Sequence, residues 1–191
     1  MAWNNDQVSK LETEKIIELA RKSLDLEGDF VELGCYKGDT SLILADLLQN
    51  SGKKLWIYDS FEGLPEKTIE DNSEIGRDFK KGELLVSKRE VKARFLRAGM
   101  KVPIIKKAWF RDLRREDLPE RIAFAFLDGD FYESIKDSLA LVEDRIVDGG
   151  VIVVHDYTNL ALPGVAKAVD EWIRGKDLSI EGFQGLGIIK A

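Results

Sequence analysis

The sequence predicts an α/β fold, with a doubly wound and mostly parallel β-sheet that ends in an antiparallel hairpin. Short apolar segments alternate with segments of helical periodicity along the 191 residues. The segment 122–127 is almost wholly apolar, as is typical of a parallel strand that is buried on both faces. Two glycines follow the segment 30–33, in which strand-forming residues surround one acidic residue, and precede an amphipathic helix. A strand, a glycine turn and a helix N-terminus form the ligand-binding corner of such sheets.

The strands follow one another along the chain with helices between them. Apolar and β-branched residues predict strands over 30–33, 54–58, 102–106, 122–127 and 151–154. A turn is expected at 148–150, before the last of these strands. Two further short strands, over 179–183 and 187–190, are separated by a glycine-containing turn, which predicts a hairpin at the edge of the sheet. This alternation indicates a Rossmann-like sandwich with helices on both faces.

The helices are predicted from apolar residues that recur at helical spacing. They cover residues 7–24, the segment after Gly38, and residues 83–98, 134–147 and 164–173. Asp39 or Thr40 is expected to cap the second helix. Residues 66–81 are polar without a clear period and are interpreted as a mobile loop or lid. The prediction is one domain over residues 1–191, with a variable lid region at 66–100.

The composition limits the classes of partner. With 29 basic and 35 acidic residues the formal net charge is −6, so no general attraction to nucleic acid or to an anionic membrane is expected. No apolar run approaches the roughly 20 residues that span a bilayer, and the first residues lack the pattern of a signal peptide. The one cysteine indicates a reducing compartment. We expect a cytoplasmic protein, and a homo-oligomer formed through the first helix stays open.

The first glycine turn has the spacing E-x-G-x-x-x-G, from Glu32 through Gly34 to Gly38. This spacing differs from the G-x-G-x-x-G of dinucleotide-binding folds, and no G-K-[ST] of a phosphate loop follows. Glu32 would repel a phosphate but pair with a positively charged amino group. The stretch resembles the first motif of class I S-adenosylmethionine-dependent methyltransferases. The alternative is that the glycines serve turn geometry alone.

Carboxylates follow four of the five predicted parallel strands, at the edge where such sheets bind ligands. Asp59 ends the second strand, where an acidic residue can accept both hydroxyls of a ribose; the alternative is a turn cap. Trp109 and Phe110 follow the third strand and are candidates to flank an adenine ring, or else belong to the core.

A second group of polar residues follows the fourth and fifth strands, which should be neighbours. Asp128, Asp130 and Asp156 would repel one another unless they are protonated or share a cation. Carboxylates alone favour Mg²⁺, whereas a nitrogen ligand from His155 would move the preference towards Mn²⁺, Fe²⁺, Co²⁺ or Zn²⁺. His155 is the one histidine of the sequence, and a lone histidine is often structural.

Four motifs extend the resemblance beyond the class. They are D-S-F-E-G-L-P at 59–65, K-A-W-F at 107–110, L-D-G-D-F-Y-E-S at 127–134 and D-G-G-V-I-V-V-H-D-Y at 148–157. They resemble the TylF/MycF family, the macrocin O-methyltransferase-like enzymes. The resemblance implies a metal-dependent O-methyltransferase that acts on a hydroxyl of a sugar or related natural product. It places catalytic metal ligands at Asp128, His155 and Asp156, although the family usually has two acidic residues at 155 and 156.

The resemblance also implies which residues bind S-adenosylmethionine. They are Glu32, Gly34, Cys35, Tyr36, Gly38, Thr40, Ser41, Asp59, Ser60, Phe61, Ala108, Trp109, Phe110, Asp128 and Asp130. Without a metal, His155 or Asp130 would be the general base. Two other functions stay open: a protein of this fold that binds S-adenosylmethionine without catalysis, and an NAD-type oxidoreductase. The sequence does not name the hydroxyl acceptor.

Overall fold

The computed structural model describes residues 7–75 and 78–191, and its centre is a seven-stranded sheet. The strands are β1 (Asp29–Leu33), β2 (Leu55–Asp59), β3 (Ile104–Lys107), β4 (Ile122–Leu127), β5 (Ile146–Val154), β6 (Ile180–Phe183) and β7 (Leu186–Lys190). Their order in the sheet is β3-β2-β1-β4-β5-β7-β6. The first five strands are parallel, and β7 pairs antiparallel with both β5 and β6. The predicted Rossmann-like fold and its terminal hairpin are confirmed.

Within the described residues, five α-helices cover the two faces of the sheet. They are α1 (Lys10–Lys22), α2 (Asp39–Leu48), α3 (Lys88–Arg97), α4 (Tyr132–Val142) and α5 (Pro163–Ile173). Apolar residues of α1, α2 and α3 pack in one buried cluster, and those of α4 and α5 pack in a second cluster on the other face. All six residues of β4 are buried, since both clusters contact this strand. Among the described helices, none has the length and apolarity needed to cross a membrane.

The expected cap of α2 by Asp39 or Thr40 is wrong. The N-cap residue is Gly38, which has a φ of 81° and no side chain to accept a hydrogen bond. Asp39 instead pairs with Arg94 of α3, and the Arg94 guanidinium also donates to the Lys37 carbonyl, 2.6 Å away. Helix α3 therefore stabilises the N-terminus of α2 through a tertiary contact, which the local sequence does not reveal.

Several predicted boundaries also shift, with the largest differences at α3, α4 and β5. Helix α3 begins at Lys88 rather than residue 83, because Ser87 and Glu90 form a capping box there. Helix α4 ends at Val142 rather than at residue 147. The turn expected at 148–150 lies within β5, where the Gly149 amide donates to the carbonyl of Ala191, 2.8 Å away. Hydrogen bonds with Ala191 hold Gly149 and Gly150 in the sheet, although the φ of Gly149 is 77° and the β4–β5 register shifts there.

Candidate functional site

Four backbone hydrogen bonds align the residues that follow the parallel strands. The amide of Gly34 donates to Tyr58 O at 2.9 Å, that of Ala108 to Asp59 O at 2.9 Å, that of Asp128 to Leu33 O at 2.8 Å and that of His155 to Leu127 O at 2.9 Å. The ladder therefore continues one residue beyond the strands. The predicted site residues are brought side by side along the carboxyl edge of the sheet.

A cavity of about 550 Å³ opens at this edge. In the part of the chain that the structure describes, eight acidic residues line it: Asp59, Glu66, Asp71, Asp128, Asp130, Glu133, Asp137 and Asp156. Among the described residues, the basic side chains in its lining are Lys67, Arg111 and His155. Because carboxylates dominate, the cavity is electrostatically suited to a ligand that carries positive charge.

The glycine turn is shaped by the protein itself. Gly34 has a φ of 92°, and a Cβ there would lie 1.9 Å from the carbonyl oxygen of Asp128. Only glycine allows the ends of β1 and β4 to approach so closely. At this position the glycine therefore permits a close strand–strand contact. Tyr36, the next but one residue, also has a positive φ, 44°.

Asp59 holds that turn in place. Its Oδ2 accepts hydrogen bonds from the amides of Cys35 at 2.9 Å and Tyr36 at 3.3 Å, and its Oδ1 accepts one from Phe61 at 2.7 Å. The alternative interpretation of Asp59 as a turn cap therefore describes what the structure shows. Asp59 also lines the cavity, and its contact with a ribose stays a prediction.

Glu32 lies beneath the turn and is 1% exposed. Ser41 of α2 donates its hydroxyl to Glu32 Oε2. Burial raises the pKa of Glu32 to about 8, and although the hydrogen bond from Ser41 opposes this, the charge of Asp128 adds to it. The Glu32 side chain is absent from the cavity lining, so in this conformation it supports the turn from below.

The other predicted cofactor-binding residues form two groups: some line the cavity and some, like Glu32, do not. Those that line the cavity are Gly34, Cys35, Tyr36, Asp59, Ser60, Trp109, Phe110, Asp128 and Asp130. Those that lie behind its wall with Glu32 are Gly38, Thr40, Ser41, Phe61 and Ala108. Their roles towards a cofactor stay predictions.

Trp109 and Phe110 form one wall of the cavity. A Cβ on Gly129 would lie 3.3 Å from the Phe110 ring and 2.8 Å from Ser134 Cβ. The glycine of the L-D-G-D motif is therefore required for the contact between β4, α4 and this aromatic wall. Arg111 lies over the Trp109 ring, 5.8 Å from its centroid, and the flat aromatic surface is suited to a planar ring.

Asp128, His155 and Asp156 form a compact cluster at the base of the cavity. His155 Nδ1 is 3.0 Å from Asp128 Oδ1 and 3.1 Å from Asp156 Oδ2. One ligand atom from each residue lies within 4.8 Å of the others. Two carboxylates and an imidazole nitrogen are a donor set that can hold a divalent metal ion, so the residues fit the ion that the sequence implies.

The charges in this cluster depend on one another. Burial of His155 lowers its pKa, but the carboxylates of Asp128 and Asp156 outweigh this and raise it well above its ordinary value. For Asp156, burial raises the pKa, whereas the contact with His155 prevails and lowers it. Burial raises the pKa of Asp130 well above its usual value, and the charges of Asp128 and Asp156 raise it further. The cluster therefore favours a positive charge between its carboxylates.

The sequence did not identify the lid side of the cavity. The lining residues missed there are Gly63, Leu64, Pro65, Glu66, Lys67, Thr68, Asp71 and Leu84. Others missed are Gln7, Arg111, Gly129, Phe131, Glu133, Ser134 and Asp137. The motifs at 59–65 and 127–134 contain several of them and were the available signal. Residues 66–71 and Leu84 have no such pattern.

Comparison with known proteins identifies the same family as the sequence motifs. The model of the family described as macrocin O-methyltransferase (TylF) matches residues 10–181. A tetracenomycin-C derivative 4'-O-methyltransferase of Streptomyces olivaceus is 33% identical over 139 residues, which are 68% of this chain and 53% of that protein. Demethyldecarbamoylnovobiocin O-methyltransferase of Streptomyces niveus is 27% identical over 82% of this chain and 62% of its own length. The chain spans just over half of the length of these relatives.

Solved structures share the fold. The O-methyltransferase NovP aligns with a TM-score of 0.79 at 23% identity, covering 93% of this chain and 78% of its own. The calicheamicin methyltransferase CalS11 aligns with a TM-score of 0.76 at 18% identity, covering 93% of this chain and 77% of its own. At these identities the likeness concerns the fold.

Proposed function

Because the chain belongs to the macrocin O-methyltransferase (TylF) family, we propose that it transfers the methyl group of S-adenosylmethionine to a hydroxyl of a small molecule, a sugar or related natural product. The observation that supports this best is one shared cavity, which is lined both by the glycine turn with Asp59 and by the Asp128–His155–Asp156 cluster. A donor site and an acceptor-activating site must share one cavity for direct transfer.

The charge of the cavity supports S-adenosylmethionine as its ligand. The cofactor has a positive sulfonium and an amino group, and acidic residues dominate the lining. Asp59 fixes the amides of Cys35 and Tyr36, so hydrogen bonds of the protein itself hold the turn in its shape. In this proposal the turn holds the methionine part, Asp59 the ribose and the wall of Trp109 and Phe110 the adenine.

A divalent ion at Asp128, His155 and Asp156 would lower the pKa of an acceptor hydroxyl. The contribution of the chain is to hold the donor side and the acceptor side of the cavity in a fixed relative position. The ladder bond from the Asp128 amide to Leu33 O ties β4 to β1, directly before Gly34. Correct alignment of the acceptor oxygen with the methyl group is the main task, since the sulfonium methyl is already reactive.

The test is methyl transfer from S-adenosylmethionine to a panel of hydroxylated sugars and glycosides, read by mass spectrometry with added divalent metal. We expect one methyl group per acceptor with the wild-type protein, and a loss of at least about a hundredfold in Asp128→Ala, since removal of metal or its ligand abolishes acceptor activation. Glu120→Gln, at an exposed position, is the control. Equal turnover by Asp128→Ala and wild type would contradict the proposed role of the cluster.

A further inference from the structure

His155 presents one nitrogen to two carboxylates at once. Nδ1 lies 3.0 Å from Asp128 Oδ1 and 3.1 Å from Asp156 Oδ2. A ring nitrogen carries at most one hydrogen, which cannot be aimed well at two acceptors. Adjacent ligands of an octahedral ion with bonds of about 2.1 Å are about 3.0 Å apart. Both separations therefore match neighbouring ligand atoms around one metal ion.

The surrounding residues hold this arrangement. His155 is 6% exposed, and its ring packs against Phe126 with centroids 6.2 Å apart. Asp156 has a φ of 59°, an uncommon conformation for a residue with a side chain. The side-chain amide of Asn159 donates to Asp156 Oδ1 at 2.8 Å, which leaves Oδ2 facing the histidine. Such supporting hydrogen bonds orient the ligands of a metal.

The imidazole nitrogen of His155 changes which metal ion the cluster should bind most tightly. Mg²⁺ is a hard ion that prefers oxygen ligands and retains several waters. Imidazole nitrogen suits the later first-row ions, whose affinities rise from Fe²⁺ through Co²⁺. We propose that Asp128, His155 and Asp156 form a mixed nitrogen–oxygen site that selects a transition-metal ion of the Fe²⁺, Co²⁺ and Zn²⁺ type over Mg²⁺. This inference rests on the proposed function, because it concerns the ion of the same site.

The first experiment is calorimetric titration of the untagged protein with Co²⁺ and, separately, with Mg²⁺. We expect the Kd for Co²⁺ to be at least about a hundredfold lower than that for Mg²⁺ in the wild type. In His155→Asp the ratio should fall by at least about tenfold, since an oxygen replaces the nitrogen ligand. Glu120→Gln removes an exposed carboxylate that does not line the cavity, and it should keep the wild-type ratio.

A second readout detects the nitrogen itself. Pulsed electron paramagnetic resonance of the Mn²⁺-loaded wild type should show modulation from a directly bound nitrogen. Because the chain contains one histidine, an imidazole signal belongs to His155. The signal should be missing in His155→Asp.

Three results would overturn the inference: equal affinity of the wild type for Co²⁺ and Mg²⁺, a Co²⁺ to Mg²⁺ ratio that His155→Asp leaves unchanged, or no metal binding by the wild type. The last result would indicate that a protonated His155 supplies the positive charge between the carboxylates. A parallel titration with S-adenosylhomocysteine shows whether a negative result concerns the metal preference alone or the proposed function as well. Binding of that compound without metal selectivity removes this inference alone, whereas failure of both titrations removes the proposed function too.

Discussion

Glu32 illustrates how one buried residue can serve the fold and the site together. It lies in β1 between two buried apolar residues and is covered by α2, whose Ser41 donates a hydrogen bond to it. A carboxylate without a basic partner in such a place is costly when charged. Its pKa of about 8 means that the folded protein keeps this group protonated well above the pH at which an exposed glutamate ionises. A neutral Glu32 leaves the turn without a buried negative charge.

This residue predicts a pH dependence of stability. Between about pH 5 and 8 the unfolded chain loses the Glu32 proton while the folded chain retains it. The Glu32 contribution to the free energy of unfolding therefore falls as the pH rises, by up to about 1.4 kcal/mol per pH unit. Glu32→Gln has no such titration, so its stability relative to wild type should increase over this range.

Urea denaturation at several pH values measures that difference. The control is Glu120→Gln, at an exposed position, for which a surface substitution should change stability little. A difference between Glu32→Gln and wild type that stays constant with pH would show that Glu32 is ionised in the folded state.

The lid is an element that the sequence predicted only in part. Residues 66–81 have the polar composition of a loop, yet the structure contains a short 3₁₀ turn at Ile69–Asp71. Asp71 is fully buried and accepts hydrogen bonds from the Thr68 amide at 2.8 Å and the Tyr132 amide at 2.7 Å. A Cβ on Gly164 would lie 2.0 Å from Asp71 Oδ1. One carboxylate thus ties the lid to the first turns of α4 and α5.

We expect the Asp71 anchor to stabilise the lid more than the exposed ion pair between Lys67 and Asp78 in the same loop. Asp71→Ala leaves buried amides without a partner, which should cost about 2 kcal/mol and speed tryptic cleavage at Lys80 and Lys81. Asp78→Asn removes the ion pair with Lys67, in which Asp78 is 77% exposed, and should cost less than about 1 kcal/mol. Thermal denaturation and limited proteolysis of both variants make the comparison. Equal cleavage rates would mean that Asp71 does not hold the lid.

The elements with a strong local pattern were predicted well. Strand β4 matches its predicted bounds, because a run of six apolar residues is typical of a parallel strand that is buried on both faces. The pairing of Asp39 with Arg94 and the anchor of Asp71 on Tyr132 could not be predicted, since the two partners of each contact are more than 50 residues apart in sequence. The backbone conformations of Asp130 and Asp156, both with positive φ, also depend on tertiary contacts rather than on residue type.

At the scale of the whole molecule, the sheet order explains where the site lies. The chain starts in the middle of the sheet at β1, builds outward to β3, then returns to place β4 on the other side of β1. Ligands bind at such a reversal because the connections on either side leave in opposite directions. Gly34 and Asp128 meet at this point. The motifs located by sequence therefore converge, although the sequence could not give the distances among Asp128, His155 and Asp156.

The most direct test of this account is calorimetric titration with S-adenosylhomocysteine. We predict saturable binding with one ligand per chain for the wild type, and at least about tenfold weaker binding for Asp59→Asn, a loss of about 1.4 kcal/mol from a turn that has lost an acceptor. Asp29→Asn, in β1 but at the opposite end of the strand from the cavity, should bind like wild type. A folded wild-type protein that does not bind the compound, with or without divalent metal, would contradict the central claim.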